Sequence, residues 1–113
     1  MKRNADLAAD RTVLRLQSIF TERDLDRVTV KKDSGNLDLY VDLHEMKATE
    51  AKRFASNLVA LVADPCRIFF IHGYNHGTVL KRIITQDLQS KKISSKHVLE
   101  SNPGVTSVSV NVA

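Results

Sequence analysis

Leu37-Asp38-Leu39-Tyr40-Val41-Asp42-Leu43-His44 alternates apolar with mostly polar residues, whereas Arg67-Ile68-Phe69-Phe70-Ile71-His72 is an almost unbroken apolar run. The first stretch has the period of a strand with one buried face; the second has the composition of a central strand buried on both. Between them, Met46 to Ala63 places Phe54, Leu58, Leu61 and Val62 at helical spacing and turns Glu50, Lys52, Arg53 and Asn57 elsewhere, until Asp64-Pro65 stops the helix. Strand, helix, strand in that order predicts a parallel pair joined by a crossover, with both carboxyl ends on one edge of the sheet.

Downstream, a glycine-punctuated loop, Gly73-Tyr74-Asn75-His76-Gly77, leads into a second helix from about Thr78 to Ser90, with Val79, Leu80, Ile83, Ile84 and Leu88 on one stripe. Lys91 and Lys92 suit the C-terminal end of that helix. His97 to Glu100 then reads as a strand, Asn102-Pro103-Gly104 as a turn, and Val105 to Val112 as an alternating strand. Upstream, Asn4 stands as an N-cap before a mixed helical pattern of Leu7, Leu14, Ile19 and Phe20, and Thr21 with Asp24 restarts a short helix. Val28-Thr29-Val30 is a brief strand before the Asp33-Ser34-Gly35-Asn36 turn. The predicted fold is α/β: a β-α-β-α-β-β two-layer sandwich with a mixed, mainly parallel sheet over residues 37–113, preceded by an N-terminal helical extension over residues 1–36.

A chain of 113 residues, 42% of them hydrophobic, fits one domain able to bury a core without staples. The single cysteine, Cys66, has no disulfide partner within the chain and is expected to pack as a small hydrophobe, so the cytoplasm is the expected compartment. The run after Met1 carries Asp6, Asp10 and Arg11 where a signal peptide needs an unbroken apolar core, and no apolar stretch is long enough to span a bilayer. Lys and Arg exceed Asp and Glu by 17 to 13, a net charge of +4 that permits a polyanionic partner without demanding one.

The shared strand edge is where ligands of open α/β sheets collect. Asp42 and His44 end one strand there and His72 ends the other. Two residues apart on a strand, Asp42 and His44 project together, so the carboxylate can orient the imidazole for general-base work; alternatively, Asp42 caps a turn and His44 merely ends a strand. The N–H groups at the start of the second helix, near Gly77 and Thr78, offer a seat for phosphate, although two glycines also serve a sharp strand-to-helix turn. His44, His72, His76 and Asp42 have the donor atoms for a divalent metal, zinc or manganese, but no recognised ligand spacing, so a divalent metal is the one cofactor these residues allow and none is required by the pattern. His97 lies away from this edge and is expected to be structural.

These residues resemble a known family. Val41-Asp42-Leu43-His44, a helix containing Thr49-Glu50-Ala51, and Ile71-His72-Gly73-Tyr74-Asn75-His76-Gly77-Thr78-Val79-Leu80-Lys81 together look like the Smr (small MutS-related) domain, which carries an L-D-x-H segment at its first core strand and H-G-x-G-x-G after its second. The resemblance spans about Leu37 to Val112. It implies DNA or RNA binding and, as in several members, endonuclease activity. Carried over by position, it points to Asp42 and His44 from the first motif and to His72, Gly73 and Gly77 from the second. With the reading of the edge above, the expected catalytic residues are Asp42, His44 and His72, and the expected nucleic-acid and phosphate contacts are Gly73, Tyr74, Asn75, His76, Gly77 and Thr78, with Lys81 and Arg82 on the following helix. Glu45 stands where the family has glycine, and Asn75 replaces the middle glycine of the second motif. The rival expectations are a non-catalytic nucleic-acid-binding module and a protein-interaction domain docking through the N-terminal helices.

Overall fold

The computed structural model describes residues 4–33, 35–73 and 78–111. In chain order the elements are α1 (Asn4–Ile19), α2 (Glu22–Leu25), β1 (Val28–Asp33), β2 (Asn36–Asp42), α3 (Ala48–Leu61), β3 (Cys66–Ile71), α4 (Thr78–Arg82) running into a π-helical turn (Ile83–Asp87), β4 (Ile93–Val98) and β5 (Val105–Val110). They form an α/β fold around one five-stranded mixed sheet of order β1-β2-β3-β5-β4.

The parallel pairing of β2 with β3 is as predicted, with Tyr40 opposite Phe69 and Asp42 opposite Ile71. The expectation of a mainly parallel sheet is corrected: β1 with β2, β3 with β5 and β4 with β5 are all antiparallel. The reason lies in the connections. α3, and after it the α4 segment with its π turn, carry the chain back to the starting edge, so β3 runs parallel to β2 and β4 runs the same way as β3; but β4 is not placed beside β3, and the short turns before β2 and before β5 reverse the chain, so β5 enters between β3 and β4 antiparallel to both. β1, foreseen as a brief strand in a helical extension, pairs with β2 along its whole length. The strand foreseen at His97–Glu100 starts earlier, at Ile93, where Ser94, Ser95 and Lys96 disguise it as a polar loop.

Parity divides the sheet cleanly. Leu37, Leu39, Val41, Ile68, Phe70, Val108 and Val110 face one way and join residues of α1, α3, α4 and the π turn in a single hydrophobic core. The alternate residues, among them Asp38, Tyr40, Arg67 and Phe69, face the other way, away from the described helices, all of whose core residues lie on the first side. β3 is central, as predicted, but buried on one face only: Phe69 and Ile71 remain half-buried because the helices share the opposite side.

Side chains finish the element ends. Thr21 Oγ1 accepts from the Asp24 N–H at 3.2 Å, capping α2 as its sequence suggested. Lys92 does not serve the helix before it. Its ammonium donates to the carbonyls of Ala60 at 2.8 Å, Val62 at 2.9 Å and Val59 at 3.3 Å, closing the C-terminus of α3. Lys96 reaches the Leu88 carbonyl beyond the π turn. Cys66 is buried, as expected, and burial pushes its thiol pKa up to about 12, which leaves it inert as a nucleophile. No helix among the described residues is long and apolar enough to cross a membrane.

Candidate functional site

Asp42 is the last residue of β2, and the backbone turns immediately after it. Leu43 drops into the core and its N–H donates to the Ile71 carbonyl at 2.9 Å, which keeps the ends of β2 and β3 in register past the strands themselves. Beyond Leu43 the His44 N–H returns to Asp42 Oδ1 at 3.1 Å, and His44 Nδ1 lies 2.6 Å from the same oxygen. The carboxylate can only accept, so Nδ1 carries the proton and Nε2 is left with its lone pair. The hydrogen bond to Asp42, and then the carboxylate's charge, raise the His44 pKa above its ordinary value, with Arg27 opposing.

Arg27 fixes this corner from the N-terminal side. Its Nη1 donates to the Asp42 carbonyl at 3.0 Å and to the His44 carbonyl at 3.2 Å, while the Arg27 carbonyl accepts from the Asp42 N–H at 2.9 Å. Nothing in the spacing of Asp42 and His44 pointed to Arg27. The signal was the adjacency of β1 to β2, visible only once β1 is recognised as part of the sheet. Glu45, next in the turn, holds a left-handed backbone with φ 67°, a conformation that glycine adopts without cost and other residues do not.

His72 is placed differently. Because Ile71 stands opposite Asp42, the next residue alternates to the helix side of the sheet, and the His72 side chain is 1% exposed. Its Nδ1 is 3.1 Å from the Gly73 carbonyl, so it donates there, and its Nε2 is 2.8 Å from Thr106 Oγ1. Burial lowers the His72 pKa, favouring the neutral ring, whose Nε2 then accepts from the threonine hydroxyl. Structure therefore joins Asp42 to His44 and keeps the His72 ring apart from both. Thr106, whose role no sequence pattern announced, is the partner that holds it.

Gly73 has φ 83°, and the turn before β5 packs directly on it. The Gly104 carbonyl accepts from both His72 N at 2.9 Å and Gly73 N at 3.0 Å, and a Cβ on Gly104 would stand 3.2 Å from Gly73 Cα. The sequence marked Gly104 only as a turn residue; its second duty is this close backbone approach. Of the remaining expected contacts, Thr78 and Arg82 are exposed, Lys81 is half-buried, and Tyr74, Asn75, His76 and Gly77 lie outside the described residues. Among the described residues no group of three or more histidine, cysteine, aspartate or glutamate side chains is placed to hold a metal ion. His97 is exposed on β4, on the face opposite the core.

Comparison with family models, with curated proteins and with solved structures finds no match.

Proposed function

We propose that the chain is a nucleic-acid-binding domain of the Smr type that cleaves phosphodiesters with the Asp42–His44 pair. The observation that carries this reading is the 2.6 Å contact between Asp42 Oδ1 and His44 Nδ1 at the carboxyl edge of β2, on an imidazole whose side chain is 58% exposed. A carboxylate holding Nδ1 fixes the tautomer and leaves Nε2 free to take a proton. In the reaction, Nε2 removes the proton of an attacking hydroxyl, from water or a ribose 2′-OH. The oxygen bonds to phosphorus, the opposite P–O bond breaks, the leaving oxygen takes its proton from solvent water, and the His44 imidazolium returns its own proton to solvent. The basic excess of the chain, with Lys81 and Arg82 on the helix after the loop, supports the choice of a polyanion.

A second reading, binding without cleavage, is favoured by one observation. His72 has both ring nitrogens engaged inside the fold, on the Gly73 carbonyl and the Thr106 hydroxyl, so it offers no second proton-transfer group. One experiment separates the two: incubation of the protein and its His44→Ala variant with labelled single- and double-stranded DNA and RNA, with divalent metal and with chelator. Cleavage by the parent that falls about a hundredfold in the variant, with binding retained, is the expected outcome. Parent and variant cutting at the same rate refutes the assignment of His44; binding without any cutting selects the second reading.

A further inference from the structure

The sheet face turned away from the helices carries a row of rings and cations that the site does not use. Tyr40 and Phe69 stand opposite each other on the two central strands, with ring centroids 4.8 Å apart and planes within 13° of parallel. Lys31 Nζ lies 5.1 Å from the Tyr40 centroid and the Arg67 guanidinium carbon 5.4 Å from that of Phe69. Arg67 is held by paired hydrogen bonds of 2.9 Å to the carboxylate of Asp38, which is itself 2% exposed. Both rings are half-buried and the two cations are exposed.

We propose that this open face is a stacking platform for single-stranded nucleic acid, running from Lys31 across the Tyr40–Phe69 pair to Arg67. Three features favour that occupant. Every base has a π face, so an unpaired base of any sequence can take the place of the Lys31 ammonium over Tyr40 or stack on the outer side of the Arg67 guanidinium, whereas bases inside a duplex have no free face to offer. The cations at both ends complement the phosphates of the same strand, and the Asp38-anchored guanidinium is a planar group on which a base can lie. Finally, Asp42 follows Tyr40 by two residues on β2 and shares its face, so a strand lying on the platform leads directly to the Asp42–His44 corner. The apolar run at Ile68–Ile71 has the composition for burial on both faces, yet among the described residues Phe69 and Ile71 on the open face are only half-buried.

The inference rests on the nucleic-acid reading above for its class of ligand, and the test keeps the two apart. Fluorescence anisotropy at low salt compares oligo-dT and oligo-rU with a hairpin duplex, using the parent and a Tyr40→Leu/Phe69→Leu double variant. Leucines keep apolar bulk and remove the π faces. The expected result is a loss of roughly tenfold or more for the single strands, with the duplex unaffected and the circular dichroism unchanged. Parent-like affinity of the variant for single strands, or an equal loss on duplex, overturns the platform while leaving nucleic-acid binding standing. A parent that binds no nucleic acid overturns both. If the double variant does not fold, photo-cross-linking of the parent to oligonucleotides carrying 5-iodouridine decides. Adducts on Tyr40 or Phe69 support the platform, and adducts elsewhere, or none, overturn it.

Discussion

Replacing Thr106 by valine isolates the contact that fixes His72. Thr106 is fully buried and His72 nearly so; valine has the same shape, leaves no cavity and removes only the hydroxyl that donates to Nε2 at 2.8 Å. A buried acceptor left without its donor costs about 1–3 kcal/mol. For a chain of this size that corresponds to a fall in Tm of roughly 4–12 °C at pH 7.5. Thr106→Ser keeps the hydroxyl and gives up a methyl group, so its loss should stay near 1 kcal/mol. Thermal unfolding followed by circular dichroism measures both. A valine variant that melts within a degree of the parent, or a serine variant that melts lower than the valine, refutes the hydrogen bond as the restraint on His72. The pH dependence adds a second check. The His72 pKa is lowered in the fold, so its contribution to stability is present above the unfolded value, near 6.5, and is lost as pH falls below it. His44, with a raised pKa, acts in the opposite sense, contributing below that value and losing it as pH rises through its own folded pKa. The informative comparison is therefore the parent against His72→Gln, both retaining His44: the variant should lose less stability between pH 7 and pH 5.

Glu45→Gly relieves a left-handed backbone worth about 1–2 kcal/mol and gives back part of that as unfolded-state entropy, so a net gain of roughly 0.5–1 kcal/mol is expected in chemical denaturation; a loss would show that the Glu45 side chain makes a compensating contact. Gly104→Ala places a Cβ 3.2 Å from Gly73 Cα, against backbone already fixed by hydrogen bonds, and should destabilise by about 1–3 kcal/mol; an unchanged denaturation midpoint would mean that the loop yields freely. Asp42→Asn should bring the His44 pKa down towards its ordinary value, read from its ring protons by NMR titration, because the carboxylate is what raises it; an unmoved titration would show that the 2.6 Å contact does not persist in solution.

How much of this was legible in the residues depends on which strand neighbours which. Strands β2, β3 and β5 and helix α3 announce themselves, because period and breakers are local properties of the chain. Strand β4 hides because the Lys96 side chain passes on the core side and keeps its ammonium on the Leu88 carbonyl, so a charged residue occupies a position where an apolar one would have revealed the pattern. The position of β1 hides for another reason: its pairing partner is set by a short turn and a register, and neither is a property of Val28–Asp33 alone.

The same limit decides the site. Period two correctly groups Asp42 with Asp38 and Tyr40, but whether His72 joins them depends on which residue of β3 stands opposite Asp42. With Ile71 there, His72 turns inward to Thr106 and the edge acquires two sides with different work: on the helix side a neutral histidine locked between Gly73 and Thr106, and on the open side a carboxylate-oriented histidine that solvent reaches. A register moved by one residue would exchange them, burying Ile71 and delivering His72 to the face of Asp42. The chemistry proposed for His44 thus depends on the pairing of Asp42 with Ile71. That pairing also puts the Asp42 carboxylate on the same side of the sheet as the Tyr40–Phe69 stack, two residues along β2 from Tyr40, so the group that orients His44 and the ring pair share one face.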